Sequence, residues 1–432
     1  MTAPLSLRSC PVGHEGALRA PEAPTRRPGN PGVGGGLMAV VLCIALSSFA
    51  VHAQETLRPE VGKPLQAAQE LIKAGKYKEA LVKVREADAV GNKNPHETLT
   101  TERMRMAAAS GAGDVETAAR SFEAISASPK VAAADKVRML ESIAGSYYRA
   151  KDYARAMQWG QRYFKEGGTS GSMRTLLIQS QYLSGDFAGA ARELTTEIQA
   201  AEKAGTAPAQ DRLNLLLNAA SQLKDASATT FALERLVTYY PKKEYWVDLL
   251  SRMQRKPGFS DRLVLDTYRL SLATGSMSAA ADFMEMSQLA LQAGHVQEAR
   301  QVVDKGFASN ILGQGAEGER HKRLRDLVTR KIEEAKAAQA SQLQEAQAAK
   351  DGNALVAIGF AQATGGDAKG VALMQQGIAK GGLKRPEDAK LHLGIAQLLT
   401  GDTTKAQTTL RSVSGTDGTA DLARLWSLYA RR

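Results

Sequence analysis

Cysteine and histidine are both scarce in this sequence of 432 residues. The two cysteines, Cys10 and Cys43, precede the point at which we expect a leader to be removed, so the mature chain should have no disulfide, thiol nucleophile or cysteine metal ligand. The remaining histidines have no histidine or carboxylate neighbour at metal-ligand spacing; they are His96, His295, His321 and His392. We therefore predict no catalytic residue, no metal site and no cofactor.

Long apolar runs are missing too, apart from residues 37–50. This run is shorter than the ~20 residues that a membrane span needs. Val51-His52-Ala53 follows it with the spacing of a secretory cleavage site. We predict that residues 1–53 are a signal peptide, cleaved between Ala53 and Gln54, and that the protein is exported to the periplasm or cell envelope of a bacterium without stable membrane insertion. Translation from Met38 rather than Met1, and an uncleaved N-terminal anchor, are the alternatives.

Charge of one sign is not concentrated anywhere. The formal net charge is +11, and the leader contributes two of these positive charges. Such a surplus suits nucleic acid or an acidic polymer, but both signs alternate along most of the chain, as on solvated helix faces. Acidic residues also surround the clearest basic cluster, residues 321–325. We expect no nucleic-acid partner and keep an anionic envelope polymer as an alternative.

What the sequence does have is one recurring turn, best seen in Gly185-Asp186-Phe187-Ala188-Gly189-Ala190. A glycine or its substitute ends one helix, and a marker residue can cap the next. Five steps of 34–39 residues and two of 70 and 72 separate the markers, which are Lys76, Asp114, Asp152, Asp186, Asp225, His295, Asp367 and Asp402. Alanine stands four residues after six of these eight. A period of about 35 residues indicates stacked helical hairpins, and we expect His295 to cap its helix as the aspartates do.

The glycine–aspartate–aromatic turn, the small residues at helix crossings and the period resemble the tetratricopeptide repeat family. Gly75 to Ala80 and Gly185 to Ala190 carry the resemblance best. It implies an all-α, right-handed superhelical solenoid of helical hairpins. The family's carboxylate clamp pairs asparagine with basic residues on successive first helices. Asn214 and Asn218 share one helix without such partners, so no binding residue is carried over.

We predict four segments. After the leader come an N-terminal hairpin array over 62–310, a long polar connecting helix over 319–350, and C-terminal hairpins with a capping helix over 352–432. The connecting segment lacks glycine and proline and is rich in strong helix formers.

The predicted function is a non-enzymatic scaffold or adaptor of the cell envelope that binds a protein or peptide on the concave surface of the solenoid. The alternative is an envelope enzyme or enzyme-complex subunit acting on peptidoglycan or polysaccharide, for which paired carboxylates in a pocket would be the discriminating feature. The aromatic residues Tyr239, Tyr240, Tyr245 and Trp246 either fill the core or form a binding site.

Overall fold

The structure is a computed structural model and describes residues 56–431. Within this range the chain forms helices and no strand. The helices are α1 (Pro59–Lys73), α2 (Tyr77–Asp88), α3 (Pro95–Ala112), α4 (Val115–Ser126), α5 (Ala133–Arg149), α6 (Tyr153–Lys165), α7 (Gly171–Leu183), α8 (Phe187–Lys203), α9 (Gln210–Gln222), α10 (Ala226–Tyr239), α11 (Lys243–Gln254), a 3-10 helix (Asp261–Leu263), α12 (Val264–Thr274), α13 (Ala280–Gln292), α14 (Val296–Ala308), α15 (Gly318–Ala348), α16 (Asn353–Thr364), α17 (Lys369–Lys380), α18 (Pro386–Leu399), α19 (Thr403–Arg411) and α20 (Thr419–Tyr429). The predicted fold class, an all-α array of helical hairpins, is confirmed.

The recurring turn has the predicted geometry. Gly185 has φ +87°, and the carboxylate of Asp186 accepts a hydrogen bond from the backbone N–H of Gly189 at 2.9 Å. The same cap forms at Asp114, Asp152, Asp225 and Asp402. His295 is different, because its side chain makes no capping hydrogen bond. The prediction that His295 caps its helix was therefore wrong.

Small residues let the two helices of a hairpin approach closely. The alanines four residues after the markers are buried; they are Ala80, Ala118, Ala156, Ala190, Ala299 and Ala406. Between α16 and α17 the approach is closer still. A Cβ atom on Gly359 would lie 2.6 Å from the carbonyl oxygen of Gly370, and one on Gly370 would lie 2.2 Å from that of Gly359. Only glycine fits there.

The chain divides into two compact units, one up to residue 146 and one from residue 147 onward. In the first unit, α1, α2 and α3 share a core that contains Val61, Leu65, Val84 and Ala108. The second unit contains the remaining hairpins, the long helix α15 and the C-terminal hairpins. Helix α15 runs unbroken for 31 residues. The division of the chain into the segments 62–310, 319–350 and 352–432 stays a prediction.

In the second unit the C-terminal hairpins pack on one side of the preceding hairpins. We call the helix before each turn the first helix and the one after it the second. Helix α20 contacts α10 and α12, and α16 contacts α14; α10, α12 and α14 are all second helices. The shared core includes Trp246, Leu270, Phe360 and Trp426. The C-terminal hairpins therefore cover second helices and the buried face of first helix α11.

Polar contacts also join the C-terminal hairpins to the hairpins on which they pack. Arg262 donates to Asp388 at 2.8 and 2.9 Å and to Asp417 at 2.6 Å. Lys256 pairs with Asp421 at 2.9 Å. These pairs join residues more than a hundred positions apart, so they fix the C-terminal hairpins to the middle of the chain.

No helix in residues 56–431 has the length and apolar character needed to cross a membrane. The predicted leader, residues 1–53, and the cleavage site between Ala53 and Gln54 lie outside the described residues.

Candidate functional site

The first helices α7, α9 and α11 present a row of mostly uncharged side chains to the outside. Side chains on the opposite face, such as Leu177, Leu216 and Leu249, are buried in the core. The outward positions recur every three or four residues and stay partly or fully exposed. We call this face the first-helix surface, and it consists of Thr175, Gln179, Tyr182 and Leu183 of α7, Asn214, Asn218 and Gln222 of α9, and Val247 and Ser251 of α11. These positions carry amide, hydroxyl and apolar side chains, and exposed Asp211 and Glu244 lie one turn before Asn214 and Val247 on the same faces.

Two amides on this surface are oriented by tyrosines from neighbouring first helices. The Tyr148 hydroxyl donates to Oε1 of Gln179 at 2.9 Å, and the Tyr245 hydroxyl donates to Oδ1 of Asn214 at 3.3 Å. Burial raises the pKa of Tyr148, as does neighbouring Tyr153, so its hydroxyl remains a donor. With each amide oxygen engaged, each amide NH2 group remains available as a donor.

Two further amides on the same surface are not engaged by the protein. Asn218 and Gln222 are exposed, and neither makes a side-chain hydrogen bond to any residue in the described part of the chain. The first-helix surface thus combines two pre-oriented amides with two free ones. Side-chain amides can both donate to and accept from a peptide backbone.

The arginines that border this surface are paired with carboxylates of second helix α8. Arg174 pairs with Glu193, and Arg212 pairs with Glu197 at 3.2 Å. Arg212 also donates to the hydroxyl of Thr175. These arginines are therefore neutralised, and the first-helix surface gains no net charge from them.

The four aromatic residues of 239–246 are divided between the core and the surface. Trp246 is 1% exposed and lies in the core. Tyr240 is half-buried and donates to the carbonyl of Pro208 at 2.9 Å. Tyr245 stands at the edge of the first-helix surface, and Tyr239 is exposed beside Glu202. Only Tyr245 contacts this surface.

The enzyme alternative requires paired carboxylates that are free to react. One buried group of carboxylates, Asp266 and Glu298, surrounds a single arginine, Arg269. Arg269 donates to both oxygens of Glu298 at 2.7 Å and to Asp266 at 2.6 Å. Burial would raise the pKa of Asp266, but the charges of His392 and Arg269 and their hydrogen bonds outweigh it and lower that pKa. Asp266 is therefore ionised and cannot serve as a general acid near neutral pH.

The histidines do not form a metal centre. No group of three metal-ligating side chains occurs in residues 56–431. His295 is 8% exposed, and burial, with the charges of Arg269 and His392, lowers its pKa to about 3. Nε2 of His392 donates a hydrogen bond to Oδ2 of Asp266 at 3.0 Å, because the ionised carboxylate can only accept. Sequence reasoning missed this contact, because the two residues lie 126 positions apart without a shared motif.

A cavity of about 490 Å³ lies between α13 and the start of α15. Its lining mixes Met284 and Ile311 with Glu285, Glu317 and Arg320. The predicted basic cluster, residues 321–325, also begins there. His321 is buried and accepts from the backbone N–H of Gly313 at 3.0 Å, and Lys322 pairs with Glu319 at 2.7 Å. Opposite charges within the lining and beside it indicate no preference for an anion.

The chain matches no protein-family model and no curated protein sequence. Among solved structures it is similar to the crystal structure of yeast Tom70. The match covers 86% of this chain and 95% of that chain, with 11% sequence identity and a TM-score of 0.23. At this level the likeness carries no argument about function.

Proposed function

We propose that this protein is a binding scaffold of the bacterial cell envelope, and that it holds a polypeptide segment on the first-helix surface. The observation that carries the proposal is the pair of tyrosine–amide contacts between successive first helices, Tyr148 with Gln179 and Tyr245 with Asn214. Each contact leaves amide N–H groups pointed away from their tyrosine. Such donors suit the carbonyl groups of a bound main chain.

The partner segment should be partly apolar. Leu183 is 50% exposed and Val247 is 51% exposed, so both can contact apolar side chains of a bound segment. Both side chains are exposed although the C-terminal hairpins pack on the other side of α11, so the first-helix surface remains open.

Selection from a displayed library of random 15-residue peptides tests the proposal. Peptides enriched on the full-length protein should bind the double variant Gln179→Ala, Asn218→Ala at least about tenfold more weakly, since each lost hydrogen bond costs about 1 kcal/mol. The matched control is Gln342→Ala, an exposed amide on α15. Enriched peptides that bind the double variant as tightly as the control would refute the proposal, and so would the absence of any enrichment.

Export is the second part of the proposal, and it rests on the apolar run of residues 37–50 and the small residues before Gln54. Intact-mass analysis of the protein from a bacterial periplasmic extract should give a chain that begins at Gln54. A chain that keeps residues 37–53, or that stays with the cytoplasmic fraction, would contradict this part alone.

A further inference from the structure

The segment between α14 and α15, residues 309–317, forms one wall of the cavity of about 490 Å³. Close contacts fix its path. The backbone N–H groups of Ile311 and Leu312 both donate to the carbonyl of Gly306 at 3.0 Å. A Cβ atom on Gly306 would lie 2.7 Å from the Leu312 side chain, and Gly313 has φ +85°. The wall is therefore formed before any ligand binds, and a cavity of this size is typical of a small-molecule site.

His321 of α15 lines this cavity and has one ring nitrogen without a partner. The residue is 5% exposed, and its Nδ1 accepts a hydrogen bond from the backbone N–H of Gly313 at 3.0 Å. A ring nitrogen that accepts carries no hydrogen, so the hydrogen of the neutral ring is on Nε2. This Nε2 makes no hydrogen bond to any residue from 56 to 431. Because buried donors are ordinarily paired, an acceptor is expected in the cavity.

The wall around His321 is partly apolar. Met284 of α13 is 6% exposed, and half-buried Ile311 comes from the segment 309–317. Ala280, Ala281 and Ala316 also line the cavity and leave room between these larger side chains. A ligand should therefore place an apolar group here, next to the atom that accepts from Nε2.

The charges on and beside the lining favour a cation. Arg320 pairs with Glu317 at 3.3 Å, and Lys322, the next cation along α15, is also paired with a carboxylate. Glu285 lines the cavity and pairs with no cation within the described residues. Asp282 adds a second carboxylate one turn before it on α13. Glu285 is thus the lining charge that a ligand can neutralise.

We propose that this cavity binds the free amino end of a short peptide whose first residue is apolar. The ammonium group pairs with Glu285, the first carbonyl group accepts from Nε2 of His321, and the apolar side chain contacts Met284 and Ile311. A ligand with a carboxylate in place of the amide binds less well, because the arginine in the lining is already paired. The inference does not depend on peptide binding by the first-helix surface.

NMR spectroscopy of the full-length protein, labelled with ¹³C in the methyl groups of methionine and isoleucine, tests the site with leucyl-alaninamide as the probe. Titration should shift the methyl signals of Met284 and Ile311 and saturate with a dissociation constant of about 1 mM or tighter, the ordinary efficiency of a ligand of this size. Acetylation of the amino group removes the positive charge and should weaken binding at least about fivefold. The absence of a saturable shift at these two signals would overturn the proposal.

Two variants assign the roles of the polar groups. Glu285→Gln should bind the free probe at least about fivefold more weakly and should no longer distinguish it from the acetylated form. The matched control is Glu345→Gln, an exposed position on α15, which should behave like the wild type. His321→Asn keeps an acceptor for the N–H of Gly313 but is too short to place a donor at the position of Nε2, so both probes should bind about fivefold more weakly. Equal affinity of the wild type for the two probes would overturn the proposal, and so would wild-type affinity in Glu285→Gln.

Discussion

Arg269 is the residue whose loss should disturb the second unit most. Its guanidinium is almost fully buried and makes three hydrogen bonds of 2.6–2.7 Å to two carboxylates. Arg269→Met preserves much of the side-chain volume but leaves Asp266 and Glu298 as buried like charges. Removing one partner of a buried ion pair costs about 3–5 kcal/mol. We expect a loss of this size in the local stability of α12 and α14.

The assay is hydrogen–deuterium exchange near neutral pH, because a chain with two compact units need not unfold in a single step. The matched control is Arg252→Met, which removes a half-exposed pair with Asp248 and should cost less than about 1 kcal/mol. Adding Asp266→Asn and Glu298→Gln to Arg269→Met should restore most of the loss, because no unpaired charge then remains. The reasoning is refuted if α12 and α14 are as well protected from hydrogen exchange in Arg269→Met as they are in Arg252→Met.

Three further predictions concern packing, backbone and pH. Gly359→Ala should push α16 away from α17 and lower the free energy of unfolding by about 1–3 kcal/mol, because the new Cβ would meet the carbonyl of Gly370. A thermal unfolding midpoint equal to that of the wild type would contradict this. Lys151 has a positive φ of +60°, so Lys151→Gly should stabilise the protein by up to about 1 kcal/mol, whereas Gly185→Ala should destabilise it by about 1 kcal/mol. Thermal unfolding followed by circular dichroism measures both changes, and a change of the same sign in both variants would refute this prediction. Hydrogen bonds from Arg58 and Asn94 lower the pKa of Glu97 to about 2. The stability that ionised Glu97 contributes is complete above about pH 4.3 and should be lost as the pH falls toward 2. Exchange protection of α3 should show this acid dependence, and an unchanged dependence in Glu97→Gln would exclude Glu97 as its source.

The hairpins could be predicted from the sequence because their signals are local. A capping aspartate, a glycine with positive φ and an alanine four residues later all lie within one turn, as at Gly185, Asp186 and Ala190. His295 broke the rule because tertiary packing buries its ring against Phe360 instead. In the sequence, this turn differed from most of the others in having histidine rather than aspartate at the marker position.

The docking of the C-terminal hairpins could not be predicted in the same way. Asp266 and His392 carry no motif, and their contact depends on how α18 packs on α12. The first-helix surface is an intermediate case. The register gives its outward positions once the hairpins are known, but the tyrosines that orient Gln179 and Asn214 become visible only when successive hairpins are stacked.

The packing of the C-terminal hairpins on the core around Trp246 has a consequence for folding during synthesis. Trp246 shares its core with Leu422, Leu425 and Trp426, which the ribosome adds long after Trp246. Until then, apolar side chains of α11 and α12 lack part of their cover, and exposed apolar surface in a growing chain favours aggregation. A chaperone that holds the nascent chain until residue 426 has emerged would protect it during this interval. Synthesis of α20 thus sets the earliest moment at which the core around Trp246 can finish folding.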